Sequence, residues 1–126
     1  MAFEKFTKSG RGFKPKVSIW SRGQIGFNQG AIAHFELQKF GYVVYFYDAE
    51  EKKVGFKFTN DANEDGAAKL KMRGTGASAS SKAFLDYYNI DYRVTRKYDI
   101  SYDKDSELYI IDLSKGELEE DVEEEK

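Results

Sequence analysis

Val17-Ser18-Ile19-Trp20-Ser21-Arg22-Gly23-Gln24-Ile25-Gly26-Phe27-Asn28 is the stretch whose reading decides the fold. Val17 to Trp20 alternates as a strand, Ser21-Arg22-Gly23-Gln24 has turn chemistry, and Ile25 to Phe27 resumes extended structure. Asn28 is a good helix N-cap, and Ala31, Ile32 and Phe35 give one apolar face over a short helix ending near Glu36. Tyr42 to Tyr47 and Val54 to Phe58 then alternate as a hairpin around Asp48-Ala49-Glu50-Glu51-Lys52.

The pattern recurs after the polar linker at residues 60–66. Lys69 to Arg73 reads as a strand, Gly74-Thr75-Gly76 as a turn and Ala77 to Ala79 as extended. Ser80 or Ser81 is the expected cap, Lys82 to Tyr88 the helix, and Tyr98 to Tyr102 with Leu108 to Leu113 the hairpin. Overlaid, Tyr45-Phe46-Tyr47-Asp48 meets Ile100-Ser101-Tyr102-Asp103, and Val54, Phe56 and Phe58 meet Tyr109, Ile111 and Leu113. Asn28 to Ile32 likewise falls on Ser80 to Phe84. Neither unit alone is long enough to bury a sufficient core, so the two should pack on each other. The expected fold class is α+β, mainly β. Two tandem β-turn-β-α-β-β repeats, about 17–59 and 68–113, would form a pseudo-twofold, barrel-like domain with two short helices.

The 126 residues suit one domain, expected over 17–115, between a flexible basic arm at 1–16 and a disordered acidic tail at 116–126. The tail holds seven acids and one lysine, whereas the rest has 19 basic residues against 15 acidic ones, so a net charge of −2 conceals a mildly basic body. Tyr and Phe number 19 and lie mostly in alternating runs, which favours strands. Without cysteine there is no disulfide framework or thiolate metal site. No apolar run reaches the roughly 18 residues of a membrane helix, and the start lacks a signal-peptide core, so a cytoplasmic protein is expected.

The order strand, glycine-containing turn, strand, short helix and acidic-turned hairpin resembles the swapped-hairpin unit of AbrB-type and MraZ-type bacterial regulators. The matching stretch runs from Val17 through Leu37 and then Tyr42 to Phe58. The tandem doubling is similar to MraZ. AbrB-type proteins dimerise single units into a small barrel, and the resemblance implies that this chain builds the equivalent internally, as a monomeric pseudo-dimer or a homo-oligomer. The chain departs from the family where an Ile-Pro step usually precedes the helix, having Phe27-Asn28 and Ala79-Ser80. Where family helices carry DNA-supporting arginines it has Ile32, Ala33 and His34, and Phe84 to Tyr87. Phosphate neutralisation supplies most of the energy of DNA binding, so these helix positions weigh against it.

His34 is the only histidine and reads as a partly exposed helix residue. The acidic groups at 61–65 and 103–105 lack EF-hand spacing and read as solvated turns, so no metal is expected. Arg73 to Lys82 is glycine-rich but lacks the second Walker glycine, and no cofactor is expected. The tyrosines of the central strands read as core rather than as a base-stacking sheet. The nucleic-acid-binding candidates are Arg11, Lys14 and Lys16 of the arm, and Arg22 and Arg73 on equivalent turns, with Phe13 or Trp20 available to bases. No nucleophile, base and oxyanion donor assemble, so an enzyme is not expected. The leading expectation is a small prokaryotic-type nucleic-acid-binding regulator, contacting DNA or RNA, whose acidic tail competes intramolecularly. The alternative is a protein-interaction module recruiting a protein partner through its aromatic surface or an open strand edge.

Overall fold

Strand parity sorts the chain into inward and outward residues before any long-range contact is considered. The computed structural model describes residues 14–118; Arg11 and Phe13, with the rest of residues 1–13, and residues 119–126 lie outside the described residues. In β1 (Lys16–Trp20) Val17 and Ile19 are buried, and in β2 (Gln24–Phe27) Ile25 and Phe27 are, so Lys16, Ser18, Trp20 and Gln24 face the other way. β3 (Tyr42–Asp48) and β4 (Lys53–Thr59) form the first hairpin, with Val43, Val54, Phe56 and Phe58 buried. β5 (Ala68–Lys69), β6 (Lys71–Arg73) and β7 (Gly76–Ser80) follow, then β8 (Arg96–Asp99), β9 (Ser101–Asp103), β10 (Leu108–Asp112) and β11 (Glu117–Leu118).

These strands make two antiparallel sheets, one ordered β11-β8-β1-β2-β7-β6 and the other β5-β3-β4-β10-β9. Their inner faces meet at Phe27, whose ring stands edge-on to Phe56 at 5.3 Å and to Phe58 at 5.4 Å. Edge-to-face geometry suits the ring quadrupoles and adds about 0.5–1.5 kcal/mol per pair to the burial itself.

Two short helices complete the core. In α1 (Gln29–Phe35) the Asn28 side chain accepts from the Ala31 amide at 2.8 Å, as an N-cap should, and Glu36 ends the helix in the left-handed conformation. In α2 (Lys82–Tyr87) Leu85 is buried and Phe84 stacks on Tyr45 at 5.0 Å. The Tyr45 hydroxyl donates to the Ser80 carbonyl, and burial pushes its pKa up. Tyr45 and Tyr98 are therefore packing residues, as expected, Tyr98 being 5% exposed, whereas Tyr102, expected in the core with them, is 48% exposed. No helix among the described residues is long and apolar enough to cross a membrane.

The α+β, mainly β class holds, with two antiparallel sheets and two α-helices, but no closed barrel is found. Two expected strands are each interrupted by a one-residue corner. Leu70 is buried between exposed Lys69 and Lys71, and its amide donates to the Gly41 carbonyl, so the run expected over 69–73 breaks there and β5 and β6 enter different sheets. Ile100, buried between exposed Asp99 and Ser101, does the same to the strand expected over 98–102. A strand that changes sheets must bend, and a single inward apolar residue anchors each bend. Ser81 holds the cap position of α2 but donates its hydroxyl to the Gly23 carbonyl instead of capping. The tail expected from 116 starts as sheet: Glu117 and Leu118 pair with β8, and Gly116 lies so close to Tyr98 that a Cβ there would sit 2.5 Å from the ring.

Each sheet pairs strands from the two halves of the chain. Ile25 faces Ala79 while Phe27 faces Ala77, so exchanging Ile25 with Ala77 and Phe27 with Ala79 leaves the pairing unchanged. Val54 faces Ile111 and Phe56 faces Tyr109, and exchanging Val54 with Tyr109 and Phe56 with Ile111 does likewise.

Phe56 is fully buried at the centre of its sheet and touches the opposite one. Phe56→Ala is expected to cost about 3–5 kcal/mol, read as a fall in the urea midpoint.

Candidate nucleic-acid interface

The outward face of the six-stranded sheet is built in rows set by the strand registers. Its middle row runs Lys97, Ser18, Gly26, Ser78, Lys71 across β8, β1, β2, β7 and β6. Three small residues fall on the central strands and a long cation stands on each flank. Low side chains between tall ones make a trough, and its volume is about 550 Å³. Lys16, Arg22, Lys71, Arg73 and Lys97 all line it, and no described residue with a carboxylate does.

Arg22 and Arg73 reach the trough from its two ends. β2 and β7 run antiparallel, so the β1–β2 turn and the β6–β7 turn lie at opposite ends of their ladder. At about 3.4 Å per residue the four paired positions span roughly 10–13 Å. The first turn is held on both sides. Ser21 N donates to Thr95 Oγ1 at 3.0 Å, and Ser81 donates to the Gly23 carbonyl through both its amide and its hydroxyl. Gly23 is required there, since its φ is +87° and a Cβ would meet Lys82 Cβ at 2.9 Å.

Trp20 lies within the trough. Its six-membered ring fills the space above Gly26, where a methyl group would overlap Cη2 and sit 2.7 Å from Cζ2. The Arg22 guanidinium lies over the ring, 4.7 Å from its centroid, and Nε donates to Gln24 Oε1 at 3.0 Å. A cation over an indole face is worth about 0.5–1 kcal/mol at an exposed site.

At the other end Asn28 ties the start of β1 to α1. Beyond capping Ala31, Oδ1 accepts from the Lys16 amide at 3.0 Å and Nδ2 donates to the Lys14 carbonyl. Asp99, paired with Lys16 in register, accepts from Lys16 Nζ at 2.8 Å and Lys14 Nζ at 3.1 Å. The Lys16 and Lys14 hydrogen bonds hold the Asp99 carboxyl below its usual range. Its contribution to stability is complete above the ordinary carboxylate pKa and is lost as pH falls through the lower folded value. Asp99 thus stays ionised across the neutral range and tempers the charge at this end.

Of the sequence candidates, Lys16, Arg22 and Arg73 line one concavity. Lys14 sits beside it through Asp99, and Arg11 lies outside the described residues. Lys16, expected in the arm, is the first residue of β1. Lys71 and Lys97 were not among the candidates. Alternation of Lys71 with Arg73 was visible in the sequence, but Lys97 joins the face only because β8 pairs with β1. Gly26 carried a signal too, since glycine inside a strand marks close approach by another group. His34 is exposed in the last turn of α1 and takes no part in the trough. Asp61 and Asp103 accept turn hydrogen bonds, from Asn63 N and from Ser106.

Gly26→Val is expected to lift Trp20 from the trough floor while the core behind β2 stays packed. The readout is a red shift of tryptophan emission with a loss of about 1–3 kcal/mol in urea unfolding.

No family model, curated protein or solved structure matches this chain.

Proposed function

We propose that this chain is a small nucleic-acid-binding regulatory protein that holds phosphates along the trough of its six-stranded sheet. The observation that carries the reading is the convergence of Lys16, Arg22, Lys71, Arg73 and Lys97 on one concavity that no described carboxylate lines. A chain of net charge −2 has no general excess of cations, so this concentration is local. Phosphates compete well for such cations, because binding releases condensed counterions. The floor offers Ser18, Ser78 and Gln24 for contacts other than phosphate.

The reading extends to the architecture. Two tandem units, related by a local twofold through the β2–β7 and β4–β10 pairs, account for both self-matching registers. They also account for Arg22 and Arg73 reaching one site from opposite ends. This is the arrangement the AbrB and MraZ resemblance implies, with two sheets in place of a closed barrel. β11 sets Glu117 opposite Lys97, so the acidic sequence begins at one bank of the trough, in keeping with a tail that competes for it.

A second reading, a protein-interaction module, has its own observation. Tyr87 is 77% exposed, and its ring abuts Tyr88, which in turn packs on Tyr47, outside the trough. Such an exposed aromatic cluster suits a protein partner.

Fluorescence anisotropy against salt separates the two. Arg73→Ala is expected to weaken binding of labelled oligonucleotides and to lower the slope of log K against log salt by about 1. Asp99→Asn frees Lys14 and Lys16 and is expected to tighten binding about two- to fivefold at low salt, the scale of an exposed ion pair. No oligonucleotide binding at low salt, together with concentration-dependent self-association that Tyr87→Ser abolishes and Arg73→Ala leaves intact, would favour the interaction module.

A further inference from the structure

Resting on that reading, we propose that the occupant of the trough is single-stranded nucleic acid, with one base stacked on Trp20 in the place now held by Arg22. Three features of the site point there.

The first is shape. Reading a duplex requires an element that enters a groove, an α-helix or a two-stranded ribbon for the major groove. The cations here surround a concavity, with Ser18, Gly26 and Ser78 as its low floor. A concavity of about 550 Å³ admits unpaired bases, while the convex wall of a duplex meets only its rim.

The second is Trp20. The chain has one tryptophan, and it stands in the trough rather than the core, its ring seated above a strand glycine. Every base has a π-face, so an indole is a platform that accepts any of them. The face it offers is covered by a guanidinium, a planar, permanently charged cation that stacks on aromatic faces and binds phosphate.

The third is the way Arg22 is held. It has an indole beneath it and Gln24 Oε1 beside it, and among the described residues it forms no ion pair with a carboxylate. Both contacts can be exchanged without stranding a charge. When a base takes the indole face, Arg22 swings to the adjoining phosphate, and the Gln24 amide is released to hydrogen-bond the base edge. Lys97 on one bank and Lys71 and Arg73 on the other meet the flanking phosphates.

Trp20 reports its own occupancy. The test titrates the full chain with 12-nucleotide single-stranded DNA, single-stranded RNA and a DNA duplex of matching length, following tryptophan emission and anisotropy of the labelled strand together. The expected result is tighter binding of single strands than of the duplex, with quenched emission; the DNA and RNA arms identify which strand is preferred. Trp20→Leu should weaken single-strand binding about 5- to 150-fold, and Trp20→Phe should restore most of it. Both variants are checked for an unchanged urea midpoint. If Trp20→Leu does not fold, Gly26→Val, which removes the seat of the ring, takes its place. Binding that is equal for the duplex, or that leaves Trp20 emission and the Trp20→Leu affinity unchanged, overturns this inference and leaves the phosphate-binding reading standing. No binding of any of the three at low salt overturns both.

Discussion

The rest of the structure depends on Phe27 standing edge-on to Phe56 and Phe58. A strand has period two, so fixing Phe27 and Ile25 inward forces Gln24 and Gly26 outward. The β1 register then places Ser18 beside Gly26 and Trp20 beside Gln24, and the β7 register places Ser78 on the far side. A slip of one residue would bury Trp20, Lys16 and Gln24 and expose Val17 and Ile19, which the opposite sheet could not accommodate. The composition of the trough is thus a consequence of packing on the other side of the same strands.

Much of this was legible from local pattern. Alternation in Val17 to Trp20 and Tyr42 to Tyr47, the Asn28 cap and the polar linker at 60–66 are decided by neighbours in sequence, and they stand where the pattern put them. What local pattern does not encode is which sheet a strand joins. Leu70 and Ile100 each sit in an alternating run that continues on both sides, and only the need to bury them between two sheets makes them corners. Lys97 was invisible as a site residue on that account, because its membership of the basic face comes from β8 leaving the hairpin to pair with β1. The Ser81 hydroxyl was misread as a cap because its actual partner, the Gly23 carbonyl, is 58 residues away.

The electrostatics of the trough show why net charge is a poor guide here. Lys39–Glu36, Lys82–Asp86 and Arg93–Asp91 join neighbours in sequence on exposed surface, and such pairs contribute little. Asp99 differs in drawing Lys14 and Lys16 together across 85 and 83 positions of chain, at the edge of the basic face. Its carboxylate orders the entry of the chain into β1 at the expense of some positive potential. Lys71 and Arg73, on the edge strand β6, take no part in the ion pairs described for Asp99 at the other flank. Cations on an edge strand also discourage edge-to-edge pairing with another chain, so the same two residues protect the sheet and serve the site.

On the proposed reading, with a single strand in the trough, sequence preference would follow from how the trough is made. The serines of the floor offer short hydroxyls, and an indole accepts any base, so neither imposes the paired donor and acceptor pattern by which a side chain distinguishes one base from another. Gln24 is the exception, an amide at the Trp20 end that is engaged by Arg22 until Arg22 moves. Selectivity of this site is therefore confined to one position and becomes available only after the guanidinium has left the ring. A site organised as proposed would bind first through charge and discriminate second, at the single place where a cation is exchanged for a base.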